Sequence, residues 1–314
     1  MSVPAPTLYD LAIIGGGPAG LTAAIYAKRA GLDVIVYEKT VCGGQIVNST
    51  KVDNYPGLPH ISGLEFGQKL EAQAEELGVE ISFEEITYID KYHDEFTLHF
   101  DSSVVEGESL LACSARAVIL ATGVTPKHLE IPGESELIGR GVSFCATCDG
   151  SFFKDKDVAV IGGGNTALYD ALYLSDICKK VYLIHRRNEF RGDSVLVEKL
   201  RKKADVEFIL GAIQTKINGE KRVESLMIKQ SDAEKTLEVA GIFVAVGNVA
   251  QGAELNEDLK TDKDGYLIAD EKLQSSVSGI FLAGDLRQKR VRQLTTATAD
   301  GAEVVTSVLE YLKK

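Results

Sequence analysis

The apolar run Asp10-Leu11-Ala12-Ile13-Ile14 leads straight into Gly15-Gly16-Gly17-Pro18-Ala19-Gly20. A short apolar run closed by glycines reads as a parallel strand buried on both faces. The alanine-rich stretch 21–30 predicts a helix ended by Gly31, and 33–37 predicts a second strand with Glu38 at its end. Strand, G-x-G-x-x-G turn, helix, strand and terminal acid together make a βαβ unit shaped for a dinucleotide. Gly15 permits the tight bend, Gly17 lets backbone approach a pyrophosphate, and Gly20 lets helix and strand pack closely. Pro18 and Ala19 complete the turn, where free N–H groups at the positive end of the helix attract the pyrophosphate. Glu38 is placed to accept hydrogen bonds from ribose hydroxyls.

The unit occurs twice. Residues 157–161 predict a strand, followed by Gly162-Gly163-Gly164-Asn165-Thr166-Ala167, a helix at about 168–175 and a strand at 180–184. The registers agree, because Glu38 lies 23 residues after Gly15 and His185 lies 23 residues after Gly162. An acid at that position suits a free ribose and repels a 2′-phosphate. His185, followed by Arg186, Arg187 and then Arg191, suits a 2′-phosphate through charge-assisted, bidentate contacts. Two different dinucleotides are therefore expected: one without a 2′-phosphate in the first unit, and NADPH in the second, on Gly162, Gly164, Asn165, Thr166, His185, Arg186, Arg187 and Arg191.

A third repeat suggests how the two halves join. Ala117-Val118-Ile119-Leu120-Ala121-Thr122-Gly123 and Ile242-Phe243-Val244-Ala245-Val246-Gly247 are both apolar strands ending in a small, tight turn. Read as two crossings, they predict an inserted second domain at 124–245 and a discontinuous first domain at 1–123 and 246–314. A helix at about 64–77, hairpin-like strands at about 81–100, a strand ending in Ala283-Gly284-Asp285 and a small-residue helix at about 295–312 belong to the first domain.

The net charge of −12 argues against a nucleic-acid surface, which needs a basic stripe. The basic patch at 185–191 is local. Residues 1–10 lack the charged and apolar regions of a signal peptide, and no apolar run reaches the length of a membrane span. Five cysteines without even spacing fit a reducing cytoplasm.

Two of the five form Cys145-Ala146-Thr147-Cys148-Asp149-Gly150. Two thiols separated by two residues can close and reopen a disulfide, or hold half of a zinc site. Zinc needs a second ligand pair. Cys42, Cys113 and Cys178 do not come in close pairs, and the histidines at 60, 93, 99, 128 and 185 are scattered. No metal is expected. A redox pair placed between two nucleotide loops reads as an electron relay.

These residues resemble the low-molecular-weight thioredoxin reductases, NADPH-dependent FAD disulfide reductases. The resemblance runs from about residue 10 to the C-terminal helix. It is carried by Gly15 to Gly20, Gly43-Gly44-Gln45, Asn54-Tyr55-Pro56-Gly57, Ala121-Thr122-Gly123, the Cys145 to Gly150 string, Gly162 to Ala167, His185-Arg186-Arg187 with Arg191, Ala283-Gly284-Asp285 and Arg292-Gln293. It implies an α/β fold of two dinucleotide-binding domains (Rossmann-like, three-layer ββα), the NADPH domain inserted in the FAD domain. It implies FAD on Gly15, Gly17, Pro18, Ala19, Gly20, Glu38, Gly44, Gln45, Asn54, Ala121, Thr122 and Gly123, with Asp285, Arg292, Gln293 and Leu294 near the isoalloxazine and ribityl. A homodimer and thioredoxin as partner are implied as well. Glu38 stands where some relatives lack an acid, Cys42 precedes Gly43, and the segment 287–292 is unusually basic.

The resemblance assigns Cys148 to the flavin side and Cys145 to interchange with the protein disulfide. Asp149, beside the pair, is the candidate acid/base, able to shuttle a proton if burial raises its pKa. NADPH and the cysteines must both reach one flavin, and a protein must reach the cysteines. Hinges at about 122–126 and 244–248 would let the domains rotate between half-reactions. Rivals of the same fold are a ferredoxin-fed thioredoxin reductase and an FAD-dependent dithiol oxidase, both expected to lose the nicotinamide-site signature. A non-catalytic flavin-binding thiol redox sensor is the rival from another class.

Overall fold

In a computed structural model, residues 7–49, 51–100, 111–231, 233–250 and 253–313 are described. The start of the chain, on which the absence of a leader was read, lies partly outside them, at 1–6. In chain order the elements begin with β1 (Leu8–Ile14), α1 (Pro18–Arg29), β2 (Val34–Tyr37), α2 (Gly63–Glu76), β3 (Glu80–Ser82), β4 (Ile86–Tyr92), β5 (Glu95–Phe100), β6 (Leu111–Leu120) and β7 (Val124–Pro126). They continue with α3 (Glu134–Leu137), β8 (Val142–Ser143), α4 (Ala146–Asp149), β9 (Asp157–Ile161), α5 (Asn165–Ser175), β10 (Lys180–His185), α6 (Ser194–Arg201), β11 (Val206–Leu210), β12 (Ala212–Asn218), β13 (Ser225–Gln230), β14 (Ala233–Glu238) and β15 (Gly241–Val244). They close with β16 (Asn248–Ala250), β17 (Glu254–Leu255), β18 (Ile280–Leu282) and α7 (Leu294–Leu312). The chain divides into two compact units, 1–125 with 249–314, and 126–248. The strands that carry the crossings, β7 and β16, pair with each other as a short ladder.

In the first unit the long strand β6 organises the sheet. Parallel strands β1, β2 and β3 extend from one edge of it. Its other edge is shared: the first half pairs antiparallel with β5, and Val118–Leu120 pair in parallel with β18. Side chains alternate along these strands with the period of two that a pleat imposes. Leu11, Ile13, Val34, Val36, Ala117 and Ile119 face the helix layer with Val304 and Val308 of α7. Ala12, Ile14, Ile35, Tyr37, Val118 and Leu120 face the opposite layer with Ile89, Phe96 and Leu98 of the β4–β5 hairpin. Both faces are covered, so these strands are continuous apolar runs rather than alternating ones. Ile81 belongs to β3, beside β2, and not to the hairpin; the hairpin spans β4 and β5 only.

The second unit repeats the plan on a five-stranded parallel sheet, β11-β10-β9-β15-β8. Val158, Val160, Val181, Leu183 and Phe243 pack under α5 and α6, and Ala159, Ile161, Ile184, Ile242 and Val244 pack against the antiparallel sheet β12–β14. That covering sheet is absent from the sequence reading. Its outer strand, Ala233–Glu238, buries only Leu237, so the hydrophobic pattern there is thin. Among the described residues no helix is long and apolar enough to cross a membrane.

Candidate active site

The two glycine loops are built by the same bonds. Gly15 N donates to Tyr37 O at 2.7 Å and Gly162 N to Ile184 O at 3.0 Å; Ala121 N donates to Ile14 O and Ala245 N to Ile161 O, each at 2.8 Å. A Cβ on Gly15 would stand 2.5 Å from Ala121 O, and one on Gly162 would stand 2.3 Å from Ala245 O. The first glycine of each loop is thus dictated by the carbonyl just past the end of β6 in one unit and of β15 in the other. The middle glycines differ. A Cβ on Gly17 would meet only Gly44 Cα at 4.0 Å, and one on Gly164 would meet nothing within 4 Å.

Gly17 and Gly164 are also the N-caps of α1 and α5, and neither helix has a side-chain cap or an acid in its first turn. The first-turn N–H groups therefore have no side-chain acceptor, which is what an incoming phosphate requires. Both loops fit a pyrophosphate on this ground.

The residues 23 positions after each first glycine sit beneath their loops. Glu38 is 8% exposed. Its carboxylate accepts from Gly16 N at 2.8 Å and from Thr40 N and Oγ1 at 3.0 and 3.2 Å. It therefore braces the loop as well as standing at the strand end. His185 is buried, stacks on Phe190 at 5.7 Å, and lies so close to Gly163 that a Cβ there would touch its ring. Its Nε2 has no hydrogen-bond partner among the described residues. Burial lowers its pKa, and Arg191, Arg187 and Arg186 push it further the same way. Those three arginines are exposed, and none has an ion-pair partner among the described residues. The loop carrying them folds back on the glycine loop: Arg191 N donates to Gly163 O, and Asp193 N to Asn165 Oδ1. Thr166 is exposed beside Asn165.

The other residues expected at the flavin fall into two groups in the first unit. Gln45 donates through Nε2 to Val124 O, just past Ala121, Thr122 and Gly123, and Gly44 approaches Gly17 and Pro18. Asn54 Nδ2 donates to Gln293 Oε1 at 3.0 Å, and Gln293 closes a capping box with Thr296 at the start of α7. Leu294 packs against Val52, Ile61 and Phe66. Arg292 is turned inward, with its guanidinium 3.6 Å from the Tyr266 ring centroid and bonded to the carbonyls of Asp285, Arg287 and Lys289.

The basic segment 287–292 has a buried counterpart that the sequence reading missed. Asp300, 4% exposed on α7, accepts from Arg287 Nε and Nη2 at 2.8 and 2.6 Å, from Lys289 Nζ at 3.1 Å and from Gly284 N at 2.9 Å. Lys289 Nζ lies 3.1 Å from Asp285 Oδ1 as well. Burial alone would raise the Asp300 pKa; the Arg287 bonds, Lys289 and the Gly284 N–H outweigh it and hold the carboxyl below its ordinary value. The available signal was an acid among the buried Ala297, Gly301 and Val304 of a small-residue helix. An acid on such a face demands a cation, and the segment before the helix supplies two.

In the second unit Cys145 and Cys148 form a disulfide with Cα atoms 5.3 Å apart, at the start of the single-turn helix α4. Asp149 ends that turn and its N–H donates to Cys145 O at 3.1 Å. Burial pushes the Asp149 pKa up, opposed by a hydrogen bond from Ser143. Cys42, Cys113 and Cys178 are buried and free. Burial raises all three thiols, Cys113 and Cys178 to about 11, so they are inert at neutral pH. Among the described residues no group of three or more His, Cys, Asp or Glu could hold a metal ion.

Two uncapped glycine loops on three-layer α/β units, one unit bearing a half-buried disulfide beside a carboxyl of raised pKa, define a nucleotide-linked disulfide oxidoreductase. The family model described as pyridine nucleotide-disulphide oxidoreductase matches residues 9–301, and the chain belongs to that family. It is 40% identical to a thioredoxin reductase of Helicobacter pylori, over 98% of this chain and 99% of the relative. Solved thioredoxin reductases superpose on it: that of Streptococcus pyogenes with a TM-score of 0.87 at 37% identity, covering 98% and 99% of the two chains, and that of Giardia duodenalis with 0.89 at 34%, covering 98% and 100%. A ferredoxin-flavin thioredoxin reductase of Clostridium acetobutylicum is more distant, at 28% identity and a TM-score of 0.52 over 98% and 99%.

Proposed function

We propose that this protein is an NADPH-dependent thioredoxin-disulfide reductase, with FAD in the first unit and NADPH in the second. The observation that carries the reading is the Cys145–Cys148 disulfide in the same unit as the uncapped loop at Gly164 and the exposed Arg186, Arg187 and Arg191. When bound, nicotinamide and flavin supply the two-electron transfer that reduces the disulfide. The arginines would hold a 2′-phosphate, and the first turn of α5 a pyrophosphate. Gly15 to Gly20, Glu38, Gly44, Gln45, Asn54, Ala121 to Gly123, Asp285 and Arg292 to Leu294 would hold FAD. The intact loop and arginines favour this reading over a ferredoxin-fed reductase or a dithiol oxidase.

The thiol chemistry follows from the chain's own groups. In the reduced pair the Cys145 thiolate attacks one sulfur of the partner's disulfide, that S–S bond breaks, and the departing sulfur takes the proton of Asp149. Cys148 then gives its proton to Asp149, and its sulfur attacks Cys145 Sγ, breaking the bond between Cys145 and the partner. The Cys145–Cys148 bond re-forms and the partner's second sulfur leaves as a thiolate. Two electrons pass to the partner and Asp149 ends protonated, as it began. Our reading includes a rotation about the crossings between half-reactions, a homodimer and a cytoplasmic setting.

Anaerobic titration with NADPH, followed by oxidised bacterial thioredoxin, tests it. The flavin absorbance should bleach and then recover, and Cys145→Ser should abolish only the recovery. A flavin that stays oxidised under NADPH would overturn the nicotinamide half of the reading, and one that bleaches but never recovers would favour the redox sensor.

A further inference from the structure

Ser143 lies on β8, two residues before the cysteine turn, and is 6% exposed. Its place is set by the sheet, where it pairs with Phe243 of β15. Its Oγ accepts from Cys145 N at 3.0 Å and donates to Asp149 Oδ2 at 2.6 Å. The alternative acceptor for the hydroxyl, Cys145 O, is 3.4 Å away. One oxygen therefore ties both ends of the turn: the backbone before the first sulfur and the carboxyl after the second. Because a lone pair is taken by the Cys145 N–H, the hydroxyl proton is directed to the carboxylate.

We propose that Ser143 is the positioning residue for the Asp149 carboxyl, holding it against the cysteine turn and keeping it able to both give and take a proton. The proposal rests on the reading of Asp149 as the acid/base of thiol exchange. Buried without a donor, a carboxyl stays protonated and cannot take back the Cys148 proton; given a strong cation, it ionises and cannot protonate the departing sulfur. A neutral hydroxyl avoids both extremes. It donates to the carboxylate, and after protonation it can turn to accept from the carboxyl O–H. The other elements near Asp149 supply no competing charge. The turn 150–153 has no titratable side chain. On α5, which packs against the cysteine turn, Tyr173 lies against Gly150, and Tyr169 and Asp170 are the other titratable groups. None of them shifts Asp149, for which burial and Ser143 are the two influences. Cys145 and Cys148 add their own titrations once reduced.

The test uses the full-length flavin-loaded protein with Ser143→Ala, and with Ser143→Thr and Ser143→Val, which match each other in shape but differ in the hydroxyl. Infrared difference spectra over pH follow the Asp149 carboxyl band, assigned by its loss in Asp149→Asn. Its midpoint should rise by about 1–2 pH units in the Ala and Val variants and stay in place in the Thr variant. The Asp149-dependent limb of thioredoxin reduction should move with it, with bleaching by NADPH unchanged. An unmoved band in Ser143→Ala and Ser143→Val overturns the proposal, even if turnover falls uniformly. If Ser143→Ala does not fold, the Thr and Val pair decides. A wild-type protein that never reduces thioredoxin sinks the functional reading while the infrared result still judges the Ser143–Asp149 contact.

Discussion

Gly162 and Gly164 stand two residues apart in one loop, yet they are glycines for opposite reasons. A methyl on Gly162 would enter the van der Waals radius of Ala245 O, on a backbone with φ of 157°, so protein against protein forbids it. Gly164 has ordinary extended angles, φ −97° and ψ −179°, and room for a methyl. The folded protein alone gives no reason for that glycine; the proposed nucleotide would. Gly162→Ala should destabilise the second unit by about 3 kcal/mol. Gly164→Ala should leave the melting temperature almost unchanged and raise the KM for NADPH about tenfold or more. Thermal melts and steady-state kinetics on both variants check this pair. Equal loss of stability in the two would show that the second loop is shaped by packing alone.

At the scale of elements, α7 is more than a terminal helix. A Cβ on its Gly301 would stand 2.3 Å from Ala19 O, so the helix lies tightly on the first turn of α1. From the next position Asp300 reaches Gly284 N and gathers Arg287 and Lys289. The loop 284–289 is thereby fastened to the helix that packs on the first nucleotide loop. Asp300→Asn keeps the shape but leaves the half-buried Arg287 without its carboxylate and Lys289 with Asp285 alone, at a cost of about 3 kcal/mol. The sign of the pH dependence follows from the depressed pKa. A carboxyl held low in the folded state stabilises it above the unfolded value of about 3.9, and that stabilisation is lost as pH falls through the folded value. Wild-type stability should therefore drop as pH falls from about 5 towards 3, and Asp300→Asn should show a flatter acid limb from a lower plateau. Calorimetric melts across that range measure both.

At the scale of the whole molecule, each unit has its own pair of cores, one on each face of its sheet, and its own glycine loop. The adenosine ends of the two proposed cofactors could then be told apart without turnover. Amide hydrogen exchange in the presence of 2′,5′-ADP should protect 162–168 and 186–192 and leave 15–20 unchanged. The 5′-diphosphate lacking the 2′-phosphate should protect the second unit far less. Equal protection by both compounds would remove the role assigned to Arg186, Arg187 and Arg191.

Both βαβ units were legible because their signals are local: an apolar run, glycines at fixed spacing and a charge at the strand end lie within about two dozen residues of one another. The CxxC was legible for the same reason, and the layers around it followed from the family resemblance. Residues 206–239 were not read as strands, since β14 is almost wholly exposed and a one-sided hairpin carries little apolar pattern. The sequence by itself determined which backbones must bend, which helix N-termini begin on glycine without a side-chain cap and which two sulfurs can pair, because these depend on residue type at short range. Only the tertiary structure decided that Glu38 braces its loop, that the basic segment 287–292 neutralises Asp300, and that Ser143 holds Asp149. Those bonds join strand, turn and helix through buried polar groups. Which buried donor meets which acceptor is settled by how the layers stack, not by the spacing of residues along the chain.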